Sequence, residues 1–320
     1  MALKKKSKIK DIIKKETIMD IKKLDDVLTV LKTREKKRLV AAYANDDHTI
    51  EAVYNAIQEG IIEGTLVGDE ATIKEVCARH NFDVNKFRIV QEADENKAGA
   101  VAVSLINKGE GDILMKGLLS TDKYMRAILN KESGLMPGPK AVLSHVTVFE
   151  IPSYHKLLVA GDVAIIPLPD LNQKIAICNY VIKVAKSLQI ETPKVAVLAA
   201  TEQMLPGMQA CVDAAIIAKM SERGQIKGAM VDGPLALDVS INKECAQTKK
   251  LTSPVAGDAD CIVFPNIESG NVFYKSITKF GGGNLGAMVM GAKVPCVLTS
   301  RGDSAKSKMY SIALAALAAK

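Results

Sequence analysis

Near one end of the sequence, Thr299, Ser300, Arg301, Gly302, Asp303 and Ser304 directly follow the apolar run 294–298 and directly precede an alanine-rich segment. The apolar run, ending at Leu298, reads as a strand and the alanine-rich segment as a helix. Hydroxyls, a guanidinium and a carboxylate therefore gather where a strand C-terminus feeds a helix N-terminus. Free backbone N–H groups and the helix dipole favour an anion at such a place, and Arg301 can add a bidentate fork to phosphate. The other reading of the same residues is an ordinary turn with Ser304 as the helix cap.

A second polar mouth follows residues 111–115, a strand candidate that stops at Lys116 and Gly117. Ser120 or Thr121 then caps a helix over 122–130. The elements that would position these groups alternate along the chain. Strands are expected at 38–42, 64–67 and 87–90, with helices over 49–59, 69–80 and 97–108. Apolar strands separated by helices of about ten or more residues argue for crossover units and a mainly parallel sheet, an α/β fold. After the loop containing Gly134, Pro137, Gly138 and Pro139, a domain change is expected between 145 and 160. Further strands are expected at 194–199, 227–231, 260–264 and 287–290. Four turns beside them carry unusual chemistry: Thr201-Glu202, Asp232-Gly233-Pro234, Pro265-Asn266 and the Gly281-Gly282-Gly283-Asn284 run. Ligands of parallel sheets collect beyond strand ends, so these loops are expected to converge.

Composition narrows the function. No apolar run approaches the roughly 18 residues of a spanning helix, and the start lacks a secretory signal, so a cytoplasmic protein without a membrane span is expected. The net charge of +7 comes from the lysine-rich N-terminus, with seven lysines in the first fifteen residues. Aromatics are 4% and tryptophan is absent, which argues against a nucleic-acid surface. The N-terminal stretch reads as a solvated extension or as an amphipathic helix touching an acidic surface. Six widely spaced cysteines without a CxxC pair suit buried thiols better than disulfides or zinc, and the four histidines form no HExxH pattern, so no metal site is expected. Neither GxGxxG nor GxxxxGK[ST] is present. The glycines before Asn284 permit close ligand approach or simply tight turning.

Four stretches, in this order, resemble the phosphate acetyl/butyryl transferase family, and most closely its butyryl-transferring branch. They are MKGLLST at 115–121, MSERGQIKGAMVDGPLALD at 220–238, SPVAGDADCIVFPNIESGNVFYKS at 253–276, and PCVLTSRGDS with KMYSIALAALA near the end. The similarity covers roughly residues 20–319. It implies reversible acyl transfer between coenzyme A and inorganic phosphate, with acyl-CoA or acyl phosphate as substrate and no tightly bound cofactor. It also implies two αβα domains of the isocitrate/isopropylmalate dehydrogenase type, with mainly parallel sheets and an active-site cleft between them, in a homodimer. The first domain would span 19–150, completed by 294–320, and the second 151–293. Residues 1–18 would form an extension outside the catalytic core.

The resemblance also implies roles. Acyl transfer to phosphate needs a cation and oriented donors, because two anions meet and the thioester oxygen gains charge. Arg301 would be the phosphate clamp. Ser300 would donate to the transition state or the leaving thiolate, without becoming a covalent nucleophile; its alternative is a strand-end cap. Lys116 would add positive potential, and Thr121 would donate to an anion or cap its helix. Acetyl-transferring relatives carry an aspartate seven residues after the motif serine, where this chain has Ser307, and often cysteine where it has Asp303. Asp303 is then the nearest candidate base, directly or through water, or only a favourable helix-terminal charge. Asp232 would shape the site from the second domain, and Asp238 would orient that loop or cap the next helix. Asn266, Asn271 and Lys275 would contact CoA or hold the cleft, as would Gly283 and Asn284, and Ser304 would assist the anion site or cap its helix. The DGPLALD segment, the Ser144-His145-Val146 segment and the missing aspartate point to a butyryl or branched short-chain substrate. Acetyl transfer and a non-catalytic CoA-binding protein are the alternatives.

Overall fold

A computed structural model of the chain describes residues 20–298 and 304–320. Helix α1 (Leu24–Leu31) leads into β1 (Lys37–Ala42), α2 (Asp47–Gln58), β2 (Ile62–Gly68), α3 (Glu70–His80), β3 (Phe87–Gln91), α4 (Glu95–Asn107), β4 (Ile113–Lys116) and α5 (Thr121–Leu129). Strands β5 (Ser144–Glu150) and β6 (Leu158–Gly161) follow, then α6 (Leu171–Ser187), β7 (Lys194–Leu198), α7 (Gln209–Glu222) and β8 (Met230–Leu235). Two short helices, α8 (Leu237–Ile241) and α9 (Lys243–Thr248), precede β9 (Cys261–Val263), α10 (Ile267–Lys279), β10 (Asn284–Met290), β11 (Cys296–Val297) and α11 (Ala305–Ala318). The expected alternation holds because strands buried on both faces are continuous apolar runs. Helices start where a side chain satisfies free N–H groups, as Asp46, Asp69, Asp94 and Asp170 do.

The strands form one eleven-stranded sheet in the order β3-β2-β1-β4-β11-β10-β5-β6-β9-β7-β8. It is mostly parallel, as expected for an α/β fold. The antiparallel pairings lie in the middle: β11 with β10, β10 with β5, and β5 with β6. The two parallel flanks consequently run in opposite directions and meet at β10 and β5. Strand β8 differs from expectation. It continues through Asp232, Gly233 and Pro234, so these residues are not a turn. Pro234 is tolerated there because β8 is the edge of the sheet and its missing N–H breaks no ladder. All six cysteines are free, and all but Cys245 are buried.

Helix α11 closes the middle of the sheet. It is buried almost throughout, and its alanines allow close approach. Ala287 N–H donates to Ser311 Oγ (3.0 Å), Tyr310 Oη donates to Asp25 (2.5 Å), and Leu24 N–H donates to Glu150 (2.7 Å). These bonds tie α11, α1 and β5 together. A Cβ on Gly286 would lie 2.7 Å from the Tyr310 carbonyl carbon and 2.9 Å from Ser311 N, contacts that backbone cannot relieve without moving the helix. Gly286→Ala is therefore expected to cost about 1–3 kcal/mol by overpacking. A urea midpoint unchanged from the parent would refute this.

Beneath β7 and β9, Lys156 bridges Asp258 (2.8 Å) and Asp260 (2.7 Å), and Lys194 reaches Asp258 (2.7 Å). Burial works against ionisation of Asp258, but hydrogen bonds from Lys156 and Lys194 outweigh it and hold its carboxyl well below the usual carboxylate range. A folded-state pKa below the unfolded value stabilises the fold above about pH 4 and is lost as pH falls. Asp258→Asn should lower the urea midpoint at pH 7 and flatten its fall toward pH 3. An unaltered pH dependence would show that the network does not set acid stability.

Candidate active site

On the face of the sheet between α5 and α10, a cavity of about 890 Å³ opens over the central strands. One wall begins at the end of β4. Lys116 Nζ donates to the carbonyls of Gly117 (3.0 Å) and Leu119 (2.9 Å), folding the ammonium over the turn. That turn needs glycine, since a Cβ on Gly117 would come within 2.4 Å of the Tyr43 carbonyl oxygen. Ser120 Oγ caps α5 by accepting from Lys123 N–H (3.2 Å), so Thr121 is the first helical residue and not the cap. Tyr124 braces the wall from behind, its hydroxyl lying within reach of the carbonyls of Leu114 (3.1 Å) and Val297 (3.3 Å). It thereby fastens β4 to β11, and burial pushes its phenol well above the ordinary range.

The floor comes from the antiparallel middle. His145 on β5 and Leu285 on β10 line it, with Gly283 and Asn284 at its end. Strand β10 runs against the β4 flank, so its N-terminal end reaches the site. The buried carboxylate of Asp162 accepts from the N–H groups of His145 (3.1 Å), Ala164 (2.7 Å) and Ile165 (2.8 Å). It thus fixes Ala164, a lining residue, relative to the floor.

Helix α10 forms the facing wall. Asn266 caps it by accepting from Ser269 N–H (2.9 Å). Gly270 lets it press on the preceding loop, where a Cβ would meet the Asp162 carbonyl oxygen at 2.3 Å. Asn271 Nδ2 then donates to the Val163 carbonyl (3.1 Å). Asn271, Tyr274, Lys275, Thr278 and Lys279 line the cavity, at the spacing of one helix face. Phe273 instead packs edge-on against Phe149, with centroids 5.4 Å apart.

The last wall is the N-terminus of α11. Ser304 caps the helix by accepting from Ser307 N–H (3.1 Å), and both serines line the cavity, as does Leu298. Both readings of Ser304 are therefore compatible. Among the described lining residues are three lysines and a histidine but no carboxylate, and the dipole of the 14-residue α11 adds to the positive field. The arrangement can hold a ligand carrying several negative charges.

Of the residues singled out from sequence, Lys116, Thr121, Asn271, Lys275, Gly283, Asn284 and Ser304 meet at this cavity. Asp232 does not line it; it lies on the edge strand and accepts from Gly233 N–H (2.8 Å). Asn266 is occupied as a helix cap. Ser300, Arg301 and Asp303 lie outside the described residues. Tyr274, Thr278 and Lys279 escaped the sequence reading, although stepping three and four residues from Asn271 leads to each of them.

The sequence pattern of the phosphate acetyl/butaryl transferase family matches residues 23–101 and 95–316. The chain belongs to that family. Among its relatives, phosphate butyryltransferase of Clostridium acetobutylicum is 45% identical over 299 residues, 93% of this chain and 99% of the relative. Phosphate acetyltransferase of Thermotoga maritima is 41% identical, covering 88% of this chain and 95% of that one. The crystal structure of a branched-chain phosphotransacylase from Enterococcus faecalis V583 superposes with a TM-score of 0.76 at 31% identity, over 88% of this chain and 98% of that one. Phosphate acetyl/butaryl transferase membership accounts for an α/β frame with a mostly parallel sheet. Among the described residues, no helix is long and apolar enough to cross a membrane.

Proposed function

We propose that the chain transfers a short-chain acyl group reversibly between coenzyme A and inorganic phosphate: butyryl-CoA and phosphate give butyryl phosphate and CoA. The observation that carries this reading is the cavity itself, lysine-lined, without a described carboxylate, at a helix N-terminus, in a chain that belongs to this family. A phosphate oxygen attacks the thioester carbonyl, the C–S bond breaks, and the thiolate leaves as CoA. The balanced reaction requires neither a metal nor a redox cofactor.

In this reading Arg301 clamps phosphate and Ser300 donates to the charge developing at the carbonyl or thiolate. Support comes from Leu298 and Ser304, the residues on either side of 299–303, which both line the cavity. Lys116 and Thr121 add positive potential and a hydroxyl. Asp303 is assigned the proton transfer to and from the thiol. Asn271, Lys275 and Asn284 hold CoA. Asp232 and Asn266 are left out because neither reaches the cavity. Leu119, Val163, Leu285 and Leu298 offer the acyl chain an apolar surface. Each buried methylene is worth about 0.8 kcal/mol, so a preference for four-carbon and branched chains over acetyl follows. The division into two domains at 19–150 with 294–320 and at 151–293, the homodimer and the cytoplasmic location belong to the same proposal.

The test is CoA release from acetyl-, propionyl-, butyryl-, isobutyryl- and valeryl-CoA, with and without phosphate, followed with a thiol-reactive dye. Phosphate-dependent release fastest with butyryl or isobutyryl chains is expected. Release fastest with acetyl-CoA would transfer the chain to the acetyl branch, and phosphate-independent or absent release would overturn the reaction.

A further inference from the structure

Phe280 is the most exposed large apolar side chain among the described residues, at 91%. It ends α10, immediately after Lys279 and three residues before Gly283, both of which line the cavity. A solvated phenyl ring contributes nothing to folding, and no ring among the described residues stacks on it. Beside it, Lys275 and Lys279 stand one helical turn apart on the cavity side, and neither forms an ion pair with a described carboxylate. From Asn271 to Lys279 this face extends about 12 Å. Two unneutralised cations and an aromatic platform in succession match a ligand whose phosphates lie next to a planar base.

We propose that Lys275, Lys279 and Phe280 form the nucleotide subsite of the cavity, with the lysines holding the phosphates of the adenosine end of CoA and Phe280 stacking on adenine. This rests on the acyl-CoA reading. It divides the cavity by function: the Lys116 and Ser304 walls face the reacting thioester, and the far end of α10 grips the part of the substrate that does not react. Stacking of a base on an aromatic ring strengthens binding by about tenfold or more, and it tolerates exposure because both faces being covered are only weakly hydrated. The alternative cover for Phe280 is a second copy of the chain. The row of lysines favours the nucleotide, because two cations without a described carboxylate partner would be desolvated at a protein contact.

Full-length parent, Lys279→Gln, Phe280→Ala and Phe280→Tyr are compared on butyryl-CoA and on butyryl-pantetheine, which lacks the nucleotide. The ratio of kcat/KM for butyryl-CoA to that for butyryl-pantetheine should fall about tenfold in Lys279→Gln and Phe280→Ala, mostly through KM, and recover in Phe280→Tyr. Equal losses on both substrates, no loss on butyryl-CoA, or a Phe280→Ala protein that changes oligomeric state in sedimentation would overturn the subsite. Calorimetry with adenosine 3′,5′-bisphosphate separates this from the reaction itself. Binding by the parent that weakens in Phe280→Ala supports the subsite even if no acyl transfer is found, and absence of binding by the parent refutes it.

Discussion

Arg301→Ala is expected to lower kcat by about 10²–10³ and to raise the phosphate concentration needed for half-maximal rate. The cause is the meeting of two negatively charged substrates, whose mutual repulsion must be offset by cations in a cavity that already carries lysines and no described carboxylate. A guanidinium presents two parallel donors to two phosphate oxygens, so it both neutralises and orients the nucleophile. Arg301→Lys retains the charge without the fork and should recover only part of the loss. Ser300→Ala, which removes a donor to charge that develops during the reaction, should depress kcat with little effect on phosphate affinity. Phosphate titrations of the three variants distinguish these outcomes; unchanged kinetics in Arg301→Ala or Ser300→Ala would remove that residue from the site, and an Arg301→Lys as active as the parent would show that charge suffices without the fork.

Lys174→Met should be the most destabilising of the substitutions considered, by about 3–5 kcal/mol. Lys174 on α6 and Asp213 on α7 are 4% and 3% exposed and meet at 2.7 Å. Gln209 Nε2 donates to the other Asp213 oxygen, also at 2.7 Å. Neither ion can reach water when its partner is removed, so the single change leaves a buried, uncompensated carboxylate. Typical domain stability is about 5–15 kcal/mol, so the loss is a large part of the whole. Adding Asp213→Leu should restore much of it, since two apolar side chains then replace two ions. Urea unfolding of both variants tests this, and a double variant as unstable as the single would locate the defect in packing.

Much of the frame was legible because its strands are apolar runs and most of its described helices begin at Asp, Asn or Ser. Lys116, Asn284 and Ser304 stood out for a related reason, being polar groups at the ends of such elements. His145 was harder to see. Strand β5 is buried on both faces yet carries Ser144, His145 and Thr147, so its sequence lacks both the apolar run of a central strand and the alternation of a half-exposed one. Asp232 was misplaced because Asp-Gly-Pro has the composition of a turn, and only the edge position of β8 allows it to be strand. Lys279 and Thr278 were overlooked because a polar stripe on a helix ordinarily faces solvent; here another wall of protein stands opposite.

The antiparallel middle of the sheet also bears on how the chain is made. Strand β4 acquires its second neighbour only in β11, and β5 acquires one only in β10. During synthesis both flanks can pair before residues 284–320 have left the ribosome, but each then presents an open inner edge. Such edges invite pairing with other nascent chains. Strands β10 and β11 and helix α11 follow both flanks in the chain, fill the gap between them and supply Leu285, Ser304 and Ser307 to the cavity, so the segment that covers the inner edges is also the one that closes the site.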